Sequence, residues 1–391
     1  MKKNITFFGM GLDSPNKGVN ALCIGATEVI ANSYDIKEIV LVSFRRPTKD
    51  KEYIIETSSG SVKVINKFYP KKELINALCD ISLYKLFNKK PKSTLSELIY
   101  NSDLLFDLNE GDSFSDIYGK GRILRHFMDS FLAVSLNKNL TFLPQTIGPF
   151  NTFFGKKLGV YILKRLEKLY VRDDKAIALL NENNIDYIQT IDLAVYMKPK
   201  KIDMHIPENA IMINVNGLMY LDNYNSLKNQ FTEYKNILLE TVKYFQTLGK
   251  HIVFIPHTYN AIDPIEEDDL IAINDFVNTN NIKNVTIVDK DYDAQELKYI
   301  ISHAELFIGS RMHSCIGGLS RSVPTVGLAY SYKFKGTFSM FGLEETVIEV
   351  NNLDNTKVIT VVEKIKEIYN KKDEYKNILI ENNKREILNI K

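Results

Sequence analysis

Short apolar runs alternate with stretches of helical spacing from one end of this chain to the other, and the runs end in loops of glycine, proline or polar residues. Ile5–Phe8 is the first run; Gly9, Gly11, Pro15 and Gly18 follow it, and a helix is predicted from about Val19 to Asn32. Glu38–Ser43, Ser61–Ile65, Asp103–Leu108, Leu140–Leu143, Leu169–Val171 and Asp186–Ile191 repeat the strand pattern. A second series restarts at Ala210–Val215 and continues through His251–Ile255, Val285–Val288, Leu306–Ile308 and Thr325–Leu328. Between strands lie apolar stripes at helical spacing, such as Phe231, Tyr234, Leu238, Val242 and Phe245. Strands separated by helices are joined by crossovers, which gives parallel sheets with helices on both faces.

A chain of 391 residues exceeds the roughly 250–300 at which a single core stops growing. Lys198–Pro207 is polar, carries two prolines and separates the two series. The expected organisation is one α/β domain over 1–200 and another over 201–391, the latter ending in helices. Both should be doubly wound and Rossmann-like, facing a cleft in the glycosyltransferase-B manner. Lys and Arg number 50 against 48 Asp and Glu, and so even a balance excludes a general nucleic-acid binder. The three cysteines, Cys23, Cys79 and Cys315, have no CxxC spacing, which fits a reducing compartment and excludes a disulfide framework. The basic N-terminus is followed by too short an apolar run for a signal peptide, and no run reaches the ~20 residues of a membrane span. A cytoplasmic location is the expectation. Lys67–Lys92 mixes lysines with Leu, Ile and Phe and is predicted to be helical. A basic amphipathic helix either shows a solvated face or lies on an anionic membrane, so peripheral contact with the inner membrane face is a second expectation.

In open α/β sheets, ligands bind beyond the carboxyl ends of the strands, and helix N-termini favour anions. Gly309, Ser310, Arg311 and His313 occupy the turn after Leu306–Ile308 and the start of the next helix. Arginine is a fixed cation with a planar donor fork, and histidine can move a proton near neutral pH. Tyr330 and Lys333 follow the next strand, and Arg172 follows Leu169–Val171 in the same way. Gln145 lies in the rigid loop Pro144–Pro149. Asp112, with Glu110 and Asp116, lies in a loop rich in Gly, Ser and Asp that suits sugar hydroxyls. An anion-binding, proton-transferring site is predicted, with no metal and no cofactor.

Several of these stretches, taken in order, resemble the polysaccharide pyruvyl transferase family. Leu143–Pro149 is similar to its Gln-Ser-Ile-Gly-Pro segment, Val171–Asp174 to its Val-Arg-Asp/Glu element, and Asp192–Val195 to its Asp-Pro-Ala-Phe element. Ser310–His313, Pro324, Tyr330 and Lys333 resemble its Arg-x-His segment and the residues downstream. Where the family often has Asn-x-Gly-Asp, this chain has Asn16, Gly18 and Val19, without the acid. The resemblance implies transfer of pyruvate from phosphoenolpyruvate to two hydroxyls of a polysaccharide or lipid-linked saccharide, with release of phosphate. It implies catalytic roles for His313, Lys333 and Arg311. Substrate binding would fall to Arg172, Arg311, Lys333, Tyr330, Ser310, Gln145 and Asp112. The alternatives are a nucleotide-sugar-dependent glycosyltransferase of the same fold and a non-catalytic glycan-binding relative.

Overall fold

The computed structural model describes residues 2–44, 49–117, 119–136, 139–223, 228–263, 265–331 and 333–391. The chain forms two compact units: Met1–Ser14, Leu22–Met197 and Ile387–Lys391 in the first, Pro15–Ala21 and Lys198–Glu386 in the second. Two short segments thus fall on the other side of a single cut at residue 200. Ile390 is buried and its backbone joins Ser33 Oγ (3.2 Å) and the Tyr34 hydroxyl (3.3 Å). Lys17 N donates to His257 O (3.0 Å), and Tyr259 N to Pro15 O (3.1 Å).

In the first unit the strands are β1 (Lys3–Phe8), β2 (Ile36–Ser43), β3 (Lys51–Thr57), β4 (Gly60–Phe68), β5 (Leu104–Asp107), β6 (Leu140–Gln145), β7 (Lys168–Val171) and β8 (Ile188–Gln189). They form one sheet in the order β3-β4-β2-β1-β5-β6-β7-β8. The helices are α1 (Lys17–Ser33), whose first residues count with the second unit, α2 (Lys71–Phe87), α3 (Thr94–Asn101), α4 (Lys120–Ser135), α5 (Phe153–Leu163) and α6 (Ile177–Glu182). Every residue of β6 is buried, as a central parallel strand covered on both faces must be. The strand β3 was not anticipated. It carries Lys51, Glu52 and Glu56, and it pairs antiparallel with β4 as a charged edge. The predicted helix over Lys67–Lys92 is shorter: β4 runs through Phe68, and Asn88, in the left-handed conformation, caps α2. The sequence also predicts a helix from roughly Gly121 to Asn137, which is α4; Asn137 itself lies outside the described residues.

The second unit holds β9 (Ile211–Ile213), β10 (Ile252–Phe254), β11 (Val285–Ile287), β12 (Leu306–Gly309), β13 (Thr325–Ala329) and β14 (Val347–Glu349). All are parallel, in the order β11-β10-β9-β12-β13-β14. Its helices are α7 (Gly217–Leu221), α8 (Tyr234–Thr247), α9 (Asp269–Thr279), α10 (Ala294–Ile301), α11 (Met312–Leu319), α12 (Lys333–Ser339), α13 (Asn355–Asn370) and α14 (Lys372–Asn382). Renumbered within the unit, that order is 3-2-1-4-5-6, the doubly wound Rossmann arrangement.

Candidate active site

In a doubly wound sheet the binding crevice opens where the strand order reverses. In the second unit that point lies between β9 and β12. The segment after β9 brings Asn214, fully buried, against the turn after β12. Its Oδ1 accepts from Ser310 N (3.3 Å), Arg311 N (2.9 Å) and Ser314 Oγ (3.1 Å). Asn216 Nδ2 donates to Ser310 O (2.9 Å), and Ser310 Oγ lies 2.7 Å from the Tyr234 hydroxyl. A Cβ on Gly309 would stand 2.5 Å from Cys315 Sγ, so only glycine lets the strand turn this tightly beneath α11.

The Arg311 guanidinium is turned inward. Its Nε and Nη2 donate to Asp269 Oδ1 (3.1 and 2.8 Å), Nη1 to Glu267 Oε2 (2.7 Å) and Nη2 also to Glu267 O (2.9 Å). Burial alone would lower its pKa; Asp269 and then Glu267 outweigh that and raise it. The fork expected to hold an anion meets carboxylates here, and these contacts tie α9 to the turn before α11. Ser310, expected to contact substrate, is buried, with its backbone N–H and its hydroxyl engaged by Asn214 and Tyr234.

Asp269 is what sequence reasoning missed. It is fully buried, and besides Arg311 it accepts from Gly217 N (2.8 Å), Asn214 Nδ2 (3.3 Å), His257 N (2.9 Å) and Thr258 N (2.9 Å). In the sequence it ends the acidic run Glu266–Asp269, and such a run at a helix start reads as complement to the helix dipole. That task belongs to Asp268, whose Oδ1 caps Leu270 N and Ile271 N. One carboxylate beyond the cap was the available signal.

His313 is the second residue of α11 and is half-buried. The N-terminus of α1 packs on its ring: a Cβ on Gly18 would lie 2.4 Å from Nδ1 and 2.7 Å from Cγ. The missing side chain at Gly18 leaves the space that the His313 ring occupies. Beside it, Lys17 Nζ pairs with Asp291 Oδ1 at 2.5 Å and lies 5.0 Å from the Tyr259 ring centroid. His257 is buried, and its imidazole is held well below the ordinary range, first by burial and then by its neighbours His313, Arg311 and Lys17. His313, His257 and Lys17 thus gather at one end of the sheet. Lys17 and His257 were not singled out in the sequence. Lys333 opens α12 and Tyr330 packs edge-on against Phe334 (5.7 Å between centroids); both are half-buried.

The first unit reverses between β1 and β5. Asp107, at the end of β5, accepts from Asn109 N and Ser130 Oγ, both at 2.9 Å. Asn109 and Glu110 adopt positive φ (46° and 55°), a conformation that costs ~1–3 kcal/mol per residue and persists where the surroundings enforce it. Glu110 pairs with Arg122 (2.5 Å) and Arg125 (3.3 Å). Burial pushes the Asp107 carboxyl up to about 7 and raises Asp129 as well, while burial lowers His126 to about 4. Gln145, expected to bind substrate, is fully buried; it accepts from Asn109 Nδ2 (3.0 Å) and donates to Asp107 O (3.0 Å). Arg172 repeats the fate of Arg311, buried in an ion pair with Asp192 and donating from Nε to Thr146 Oγ1 (3.3 Å). Burial would lower its pKa, but Asp192, Asp112 and Asp173 raise it. Asp112 is half-buried beside this pair. Asp116 accepts from Asn151 N (2.7 Å) and Thr152 N (2.8 Å), a turn-holding role.

Three comparisons bear on this geometry. The family described as polysaccharide pyruvyl transferase matches residues 16–332. The amylovoran biosynthesis protein AmsJ of Erwinia amylovora is 22% identical over 276 residues, 66% of this chain and 64% of that protein, so the match spans less than two thirds of the relative. Among solved structures, UDP-GlcNAc 2-epimerase of Neisseria meningitidis, bound to UDP-GlcNAc, has a TM-score of 0.56 at 11% identity, covering 97% of this chain and 94% of that one. The UDP-GlcNAc 2-epimerase of Methanocaldococcus jannaschii has a TM-score of 0.54 at 12% identity, covering 93% and 92%. At such identities the likeness is one of fold, the glycosyltransferase-B type with two Rossmann-like units.

Proposed function

This chain belongs to the polysaccharide pyruvyl transferase family, and from that premise we propose that it moves pyruvate from phosphoenolpyruvate onto a saccharide, forming a cyclic ketal. The observation that carries the reading is the placement of His313: half-buried at the switch point, at a helix N-terminus, with its ring fixed against Gly18. The donor's carboxylate and phosphate call for charge-assisted hydrogen bonds. Lys17, Lys333 and the first N–H groups of α11 supply them in our reading, with Tyr330 beside them. Arg311 and Arg172 hold the turns that present these groups.

The chemistry forms two C–O bonds at the central carbon of the donor and breaks its C–O bond to phosphate. Of the two protons lost by the acceptor hydroxyls, one ends on the methylene carbon, which becomes methyl, and the other leaves with phosphate. A general acid–base group contributes ~10²–10⁴-fold to such a step, and His313 is our assignment for it. Asp112 and the Asn109–Gly111 turn are our assignment for the acceptor side. A lipid-linked acceptor at the inner membrane face is the version we favour. No cofactor or metal enters this scheme.

The test is incubation with phosphoenolpyruvate and a panel of galactose-, mannose- and N-acetylmannosamine-containing acceptors. Phosphate release together with the mass of an added pyruvyl ketal is expected. Release from a UDP-sugar donor instead would overturn the assignment. His313→Asn should keep phosphoenolpyruvate affinity within a few fold while turnover falls by ~10²-fold or more; unchanged turnover would remove His313 from the chemistry.

A further inference from the structure

The helix α2 is apolar on two faces, and the protein covers only one. Ala77 and Ile81 lie in the core of the first unit, with Leu74, Leu78 and Tyr84 packed against it. On the opposite face Ile75, Leu83, Leu86 and Phe87 are 63%, 42%, 73% and 64% exposed. Contiguous apolar exposure of this kind marks an interaction surface more often than an accident of composition.

The charges around it are of one sign. Lys71 and Lys72 stand at the start of the helix, and Lys89, Lys90 and Lys92 just beyond its end, all exposed, whereas Lys85 reaches back toward Ser135 Oγ (3.4 Å) on α4. The acidic residues of this stretch are half-buried and turned toward α3. Glu73 accepts from Thr94 Oγ1 (2.5 Å) and Asn76 Nδ2 (3.1 Å). Asp80 Oδ2 accepts from Lys92 N (3.0 Å), Ser93 N (2.7 Å) and Ser96 Oγ (2.6 Å). The chain as a whole carries a net charge of only +2, so this basic face is a local feature.

We propose that the outer face of α2, with the segment 88–92, is a docking surface for an anionic lipid bilayer. Ile75, Leu86 and Phe87 enter the boundary between headgroups and acyl chains, and the lysines sit among the phosphates, which is how interfacial helices bind. Among the described residues no helix is long and apolar enough to cross a membrane, so the contact is with the surface. A second copy fits less well, because two-fold pairing of the same patch sets lysines against lysines. The proposal does not need the transfer reaction to be assigned correctly, since its readout uses no substrate.

The chain contains no Trp, so Phe87→Trp supplies a sole indole at the centre of the patch. The full chain is mixed with vesicles of phosphatidylcholine alone or with an equal part of phosphatidylglycerol, and flotation and indole emission are read together. The expected result is flotation with the anionic vesicles only, weakened by salt, with a blue shift of the Phe87→Trp emission. The triple variant Lys89→Gln, Lys90→Gln, Lys92→Gln should lower the partition coefficient on the order of 100-fold. Leu86→Ser with Phe87→Ser should weaken binding and leave its salt dependence in place. Absence of flotation at low salt, or flotation that neither set of variants changes, would overturn the proposal. So would self-association in sedimentation velocity, without lipid, that Phe87→Ser abolishes; that outcome would assign the patch to a second copy.

Discussion

Asp269 collects six donors from three segments of the second unit: Arg311 twice, Gly217 and Asn214, and His257 and Thr258. No neutral residue can replace it. In Asp269→Asn the amide nitrogen would face either the Arg311 guanidinium or the backbone N–H groups of His257 and Thr258, and the cation would lose its buried partner. Removing one member of a buried ion pair costs ~3–5 kcal/mol. Denaturant titration should therefore find Asp269→Asn and Arg311→Ala destabilised by comparable amounts. Their effects should also fall well short of additive in the double variant, because each removes the same pair. Arg311→Lys should recover only part of the loss, since an ammonium cannot span Asp269 and Glu267 as the fork does. A loss of donor affinity at full stability would instead return Arg311 to the role of a ligand-binding group.

At the scale of elements, two helix N-termini meet through one glycine. Gly18 is the second residue of α1, His313 the second of α11, and a side chain at 18 would collide with the imidazole. Alanine is the better helix former by up to ~1 kcal/mol, which offsets part of the cost of the collision in Gly18→Ala. Yet it must displace the ring, and a misplacement of about 1 Å can cost ~10²-fold in rate. A folded Gly18→Ala protein with full turnover would show that the position of His313 is unimportant. The contrast between these helices explains what could be read in the sequence. The turn after β12 and the helix bearing His313 were legible, because an apolar run, a glycine and a helical stripe are contiguous there. The arrival of α1 was not: Gly18 and His313 are remote in the chain, and no local pattern signals a glycine that yields to a side chain. Arg311 and Arg172 were legible at their strand ends, but the carboxylates they meet, Asp269 and Asp192, lie on other elements and leave no local signal. The strand β3 escaped because its charges belong to an exposed edge, where alternation of apolar residues is not required.

Across the whole molecule, buried ionisable groups of opposite kind set how stability responds to pH. In the first unit Asp107 titrates at about 7 instead of the ordinary 3.9, and His126 at about 4 instead of 6.5, both chiefly through burial. Between roughly pH 4 and 6.5 the folded chain keeps Asp107 protonated and His126 neutral. The unfolded chain holds the ionised carboxylate and the protonated imidazole over the same range. Asp107 therefore makes stability fall as pH rises, because the folded state binds the extra proton; His126 makes it rise, because the unfolded state does. The two slopes cancel, each being about 1.4 kcal/mol per pH unit at most. Asp129, also raised, adds a falling slope, while His257 in the second unit, held well below its ordinary range, adds a rising one. Replacing one member should expose the others. Relative to wild type, His126→Gln should lose stability progressively as pH rises from about 4.5 to 6.5, and run parallel to it above pH 7, where His126 is neutral in both states. Asp107→Asn should do the reverse, gaining on wild type across the same window. Urea titrations of the full chain at half-unit intervals would measure both. Curves parallel to wild type throughout pH 4.5–6.5 would mean that Asp107 and His126 titrate in the folded chain as they do in the unfolded one.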